Sequence, residues 1–131
     1  MKCFDTHLLI GGIRGEAETG QEDMVLRAQK YIALLDSKKE KIMIPAPVLS
    51  EFLVGSGTPK NRKAELAAAT GKHFRIYPLD TPAAEKAAEI QEMDLVRSLV
   101  KDGADRDKIK VDAMIVAIAI VRKAELYSTR L

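Results

Sequence analysis

Two short apolar runs, each cut off by a proline and each followed by a helix that opens with another proline, constrain this chain most. Ile42-Met43-Ile44 stops at Pro45, and Pro47 then suits the first turn of a helix carrying Val48, Leu49, Phe52 and Leu53. Phe74-Arg75-Ile76-Tyr77 alternates and stops at Pro78. Thr81-Pro82 has the form of a cap with proline at the first helical position, and one long helix is expected from there to about Lys101. The other segments follow the same alternation. Met1 to Asp5, with Leu8 to Ile10 behind it, reads as a buried strand and a loop, punctuated by Gly11, Gly12 and Gly15. From Gln21 to Asp36, Met24, Val25, Ala28, Ile32 and Leu35 recur near the helical period. Gly55-Ser56-Gly57 ends the Pro47 helix, and Thr58-Pro59 caps an alanine-rich helix over Lys60 to Thr70. Lys110 to Lys123 is an almost wholly apolar helix, so it should be central, and Glu125 to Ser128 starts a fourth strand. Strands that alternate with helices imply a parallel sheet covered by helices, an α/β fold. No linker, repeat or low-complexity tract divides the chain, so a single domain over residues 1–131 is expected.

Composition removes several classes of function. Of 131 residues, 47% are hydrophobic and 31% charged, which suits a globular core. A formal net charge of +2 does not by itself call for an anionic partner, so nucleic-acid binding would need local clusters of Lys and Arg. The lone cysteine, Cys3, rules out an intramolecular disulfide and reads as a buried core residue. The most apolar run, Ala113 to Val121, falls far short of the about 20 residues that span a bilayer. The start of the chain lacks the apolar stretch of a signal peptide, and a cytoplasmic location is expected.

Three acids stand where structural boundaries meet apolar sequence: Asp5 after the first strand, Glu51 one turn into the helix after the second, and Asp112 at the opening of the apolar helix. In open parallel sheets the ligand crevice lies beyond the carboxyl ends of the strands, so crossovers can bring all three together. Carboxylates are hard ligands suited to Mg²⁺ or Mn²⁺, and such an ion can activate water for attack on a phosphodiester. Without a His or Cys cluster, zinc is not expected. Each acid also has a plainer reading: Asp112 as an N-cap, Glu51 as a solvated helix residue, Asp5 as the phosphoacceptor of a receiver-like sheet. His7 reads as loop, with substrate contact as its functional alternative. The glycines at 11, 12 and 15 lack the spacing of a P-loop or a dinucleotide fingerprint. Asp94, Asp102, Asp105 and Asp107 are expected to face water, as are Lys60, Arg62, Lys63 and Lys72.

Taken in order, these segments resemble the PIN domain family along essentially the whole chain. Phe4-Asp5-Thr6 is similar to the family's first motif, Ile44 to Leu53 with Glu51 to its second, and Asp112-Ala113-Met114-Ile115-Val116-Ala117 to its third. The resemblance implies a three-layer αβα sandwich around a parallel sheet of about four strands. It also implies a Mg²⁺- or Mn²⁺-dependent ribonuclease with Asp5, Glu51 and Asp112 as catalytic and metal-holding residues, supported by Thr6 and Ser128. The subgroup it resembles, the toxin nucleases of type II toxin–antitoxin pairs, implies a homodimer and a small antitoxin partner. Two positions depart from the pattern. His7 stands where Asn or Ser is common, and Arg130 stands where a fourth acid is usual. The sequence stops at Leu131, so a truncated C-terminal strand is expected. The alternative to an active nuclease is an impaired PIN domain that binds RNA or protein. Met24, Val25 and Ile32, with Phe52 and Leu53, are expected either to pack inside or to form an apolar patch for a partner.

Overall fold

Among the described residues, four short strands form the centre of the fold: β1 (Lys2–Phe4), β2 (Ile42–Pro45), β3 (Phe74–Tyr77) and β4 (Glu125–Tyr127). This computed structural model describes residues 1–17 and 19–127. The strands run parallel in the order β3-β2-β1-β4. The chain moves outward from β1 through β2 to β3, then crosses back to place β4 on the other side of β1. The direction of winding therefore reverses between β1 and β4, and that switch point is where open α/β sheets hold ligands.

Among the described residues, seven α-helices connect and cover the strands: α1 (Thr6–Leu9), α2 (Asp23–Ser37), α3 (Ala46–Val54), α4 (Pro59–Ala69), α5 (Thr81–Glu92), α6 (Asp94–Lys101) and α7 (Arg106–Val121). A π-helical turn (Ile10–Arg14) continues α1. Side chains alternate across a strand, so β1 and β2 send Phe4, Ile42 and Ile44 to one face and Cys3 and Met43 to the other. The first set packs with Ala28, Leu35, Val48, Phe52 and Ala69 from α2, α3 and α4. The second packs with Ala83, Ile118 and Ala119 from α5 and α7. That gives the three-layer αβα arrangement, with every residue of β2 buried. Alanines at 83 and 87 on α5 and at 113 and 117 on α7 are buried and let the two helices lie close together.

Several expectations need correction. Leu8 to Ile10 is helical, not a loop, because the Asp5 carboxylate caps the segment by accepting from Leu8 N at 3.0 Å. The glycines of the π turn serve packing. A Cβ on Gly11 would lie 3.3 Å from the Ala28 Cβ, and one on Gly12 would lie 2.3 Å from Ile32 Cδ1. Thr81 is not the cap of α5; Asp80 is, accepting from Ala83 N at 3.1 Å. The expected long helix breaks at Met93, whose ψ of 138° leaves the helical region and starts α6 in a new direction. No Gly or Pro marks that break. Phe52 is fully buried and Ile32 and Leu53 pack against the core, so the proposed apolar patch belongs mainly to the interior. The apolar side chains left exposed are others, among them Leu26, Val54, Leu95 and Leu99. Among the described residues no helix is long and apolar enough to cross a membrane.

Candidate active site at the sheet switch point

Asp5 follows β1 directly, and its backbone N donates to the Tyr127 carbonyl of β4 at 3.3 Å. The acid is thereby tied to both strands that flank the switch point. Its carboxylate, half-buried, caps α1. The next residue, Thr6, is buried, and its hydroxyl donates to Glu51 Oε2 at 3.3 Å. Glu51 projects from α3 because Pro45 ends β2 and the helix starts at Ala46, with Pro47 in its first turn. Thr6 thus joins the segment after β1 to the helix after β2.

Asp112 comes from α7. The sequence suggested that it opens this helix, but α7 begins at Arg106, and the cap is Asp105, whose Oδ1 accepts from Asp107 N and Lys108 N. Asp112 stands in the second turn, so neither an N-cap role nor the helix N-terminus accounts for it. A cavity of about 240 Å³ brings the predicted residues together: Asp5, Thr6, His7, Glu51 and Asp112 line it with Ile115, Val116 and Leu126. Three carboxylates face one concavity whose described lining contains no Lys or Arg. Glu51 and Asp112 are exposed rather than buried, so the acids stand at an open mouth.

His7, read as loop, lies on α1 and lines this cavity. Asp105 and Asp107 face water as expected, but with Lys108 they also line a groove of about 420 Å³ shared with Glu51 and Asp112. The sequence held a signal for this: residues 105, 108 and 112 are spaced three and four apart and so share one helix face. Ser128 and Arg130, the supporting residue and the position of the missing fourth acid, lie outside the described residues. Cys3 is fully buried, and burial, with the Asp5 charge second, pushes its thiol up to about 12. It is a core residue and not a nucleophile.

The donor set is all oxygen, which suits a hard divalent cation. Among the described residues no three side chains of His, Cys, Asp or Glu stand close enough to enclose an ion. The arrangement fits a hydrated cation, since Mg²⁺ keeps several waters and takes only one or two carboxylates.

A PIN domain family profile matches residues 2–130. The chain belongs to the PIN domain family. Among solved structures it is similar to VapBC2 from Rickettsia felis bound to a DNA fragment from their promoter, with a TM-score of 0.68 at 17% identity. That match covers 98% of this chain and 87% of the other. It is also similar to VapC20 of Mycobacterium tuberculosis, a Sarcin-Ricin loop cleaving toxin, with a TM-score of 0.61 at 20% identity over 98% and 88% of the two chains. At these identities the likeness speaks for the PIN fold alone. No curated protein sequence matches the chain.

Proposed function

We propose that this PIN domain is a divalent-cation-dependent endoribonuclease and the toxin of a toxin–antitoxin pair. The observation that carries the reading is the single cavity at the switch point onto which Asp5, Glu51 and Asp112 all open. Asp5, Glu51 and Asp112 would share a hydrated Mg²⁺ or Mn²⁺, one or two of them by direct ligation and the rest through its waters. When bound, such an ion supplies Lewis-acid chemistry, lowering the pKa of water and offsetting charge that builds on the phosphate. The chain's own residues set the geometry. Asp5 is fixed by its cap bond to α1, Thr6 fixes Glu51, and rigid α7 carries Asp112. Ile115, Val116 and Leu126 give the cavity an apolar wall. His7, which lines the same cavity, would contact the substrate in this reading.

The toxin assignment draws on the two similar structures, one VapBC2 bound to a DNA fragment from their promoter and one a Sarcin-Ricin loop cleaving toxin. It brings an antitoxin partner and a homodimer with it. Exposed Leu95 and Leu99 are apolar surface that a partner would cover. A cytoplasmic location belongs to the same reading.

The test is cleavage of a mixed RNA pool with Mg²⁺ or Mn²⁺, and with EDTA. Asp5→Asn keeps the α1 cap, since Asn caps as well as Asp, so the variant should melt like the parent. Cleavage should nevertheless fall by at least about 10²-fold, the usual scale for loss of a key electrostatic group. A variant that cuts as fast as the parent, or a parent that cuts equally well in EDTA, sinks the proposal.

A further inference from the structure

A second concavity, of about 650 Å³, lies between α6 and the start of α7. Arg97 and Lys101 line it from α6, and Arg106 and Lys110 from α7, over half-buried Val100 and Ile109. No carboxylate is among its described lining residues, and none of the four cations is in an ion pair among the described residues. In a chain whose net charge is only +2, this is a local concentration of charge and not a background. It also has a cost. Arg97 and Lys101 are four apart on one helix, as are Arg106 and Lys110 on the other, and like charges at that spacing destabilise a helix. An anionic occupant would relieve both pairs.

The position of the groove indicates which anion. On α7, Lys108, Val111 and Asp112 turn toward the acidic groove shared with Glu51, whereas Arg106, Ile109 and Lys110 turn toward the basic one. The two concavities flank the first turns of α7, about one helix diameter, roughly 10 Å, apart. The acidic cavity repels a polyanion, so a nucleic-acid strand needs cationic contacts elsewhere to be held there. We propose that the groove of Arg97, Lys101, Arg106 and Lys110 binds the phosphodiester backbone of the RNA, a few nucleotides from the bond at the acids. The guanidinium forks suit phosphate oxygens, and Val100 and Ile109 offer an apolar floor for a ribose. This rests on the nuclease reading above.

The test measures binding without cleavage. In an Asp5→Asn background, the affinity for a labelled, unstructured single-stranded RNA is followed by fluorescence anisotropy from about 50 to 200 mM KCl, the range over which phosphate contacts show their salt dependence. The triple variant Arg97→Gln/Lys101→Gln/Lys110→Gln should bind at least about tenfold more weakly. Its slope of log affinity against log salt should fall by about 2, at roughly 0.7 per lost phosphate contact on a single strand. A matched triple on α4, Lys60→Gln/Arg62→Gln/Lys63→Gln, removes the same charge and should lose much less. Unchanged affinity and slope in the groove variant overturns the proposal, as does an equal loss in the α4 variant. Poly-glutamate that displaces the RNA at equal charge concentration overturns the phosphodiester assignment in favour of an acidic protein segment. The six residues changed in the two triples are exposed, and a thermal melt confirms the fold. The outcomes separate the two readings. A parent that never cleaves while the groove variant loses RNA binding removes the nuclease and keeps the groove. A parent that cleaves while the groove variant binds normally does the reverse.

Discussion

Arg14 and Glu65 form the ion pair whose removal should be felt most. Arg14 Nε and Nη2 donate to the two carboxylate oxygens of Glu65 at 2.9 and 2.7 Å, a bidentate pair. The guanidinium also donates to the Phe52 carbonyl at 2.6 Å and lies over the Phe52 ring. The Ser56 hydroxyl adds a bond to Glu65 at 2.8 Å. The two side chains are only 11% and 15% exposed, so solvent screens the pair little. It fastens the π turn, the end of α3 and α4 together, one residue from Glu51. Replacing Arg14 with Met leaves Glu65 nearly buried and without its cation, which costs about 3–5 kcal/mol. For a chain of this size that lowers Tm by on the order of 10 °C or more. Replacing both partners, as in Arg14→Met/Glu65→Leu, removes the stranded charge, so the double variant should be more stable than Arg14→Met alone. pH gives a second readout. The Arg14 hydrogen bonds, followed by the one from Ser56, hold the Glu65 carboxyl below its ordinary 4.5. A carboxyl depressed in the folded state contributes stability above its unfolded pKa, and that contribution is lost as pH falls through the lower folded value. The parent should therefore lose stability below about pH 4.5, and Arg14→Met should lose less over that range. Urea melts read both effects. An Arg14→Met variant within about 1 kcal/mol of the parent, far under the cost of a broken buried pair, would refute the reasoning, as would a double variant less stable than Arg14→Met.

The π turn gives an ordering test. Gly11→Ala pushes a methyl toward the Ala28 Cβ and the α2 backbone, whereas Gly12→Ala meets only the movable end of Ile32. Gly11→Ala should therefore be the less stable variant, by about 1 kcal/mol, the lower end of overpacking costs; equal melting temperatures contradict this. At the head of α5, Asp80→Ala loses both the cap and the ion pair with Arg122, so it should cost about 1–2 kcal/mol. Asp80→Asn keeps the cap and should recover most of that in the same thermal melt.

The parts of this fold legible in the sequence were those with local causes. The run Ile42-Met43-Ile44, the proline stops and the Thr58 cap all act within a few residues, and each stands where the pattern put it. Asp5 and Glu51 also stand where the pattern put them, because each follows the end of an adjacent strand, whereas Asp112 lies a turn deeper in α7 than its pattern suggested. What escaped depends on contacts distant in sequence. Glu65 lies on a helix read as a solvated face, and its partner Arg14 is 51 residues away. Gly11 and Gly12 looked like loop punctuation because their role, the close approach of α2, exists only in three dimensions. The start of α7 was set too late because Arg106 to Lys110 is mostly charged, and an apolar pattern cannot register a turn that faces solvent. The basic groove escaped for a related reason. Its four cations come from two helices, α6 and α7, that meet across the turn at residues 102–105.

The central claim, that Asp5, Glu51 and Asp112 share one divalent cation, is tested most directly by isothermal titration of the purified chain with Mn²⁺. One site should be found, and it should be weakened at least about tenfold in Asp112→Asn, an exposed change that leaves the fold intact, in line with the 10–100-fold losses seen when support of a metal site is removed. No heat of binding at millimolar Mn²⁺, or binding that Asp112→Asn leaves unchanged, would contradict the account.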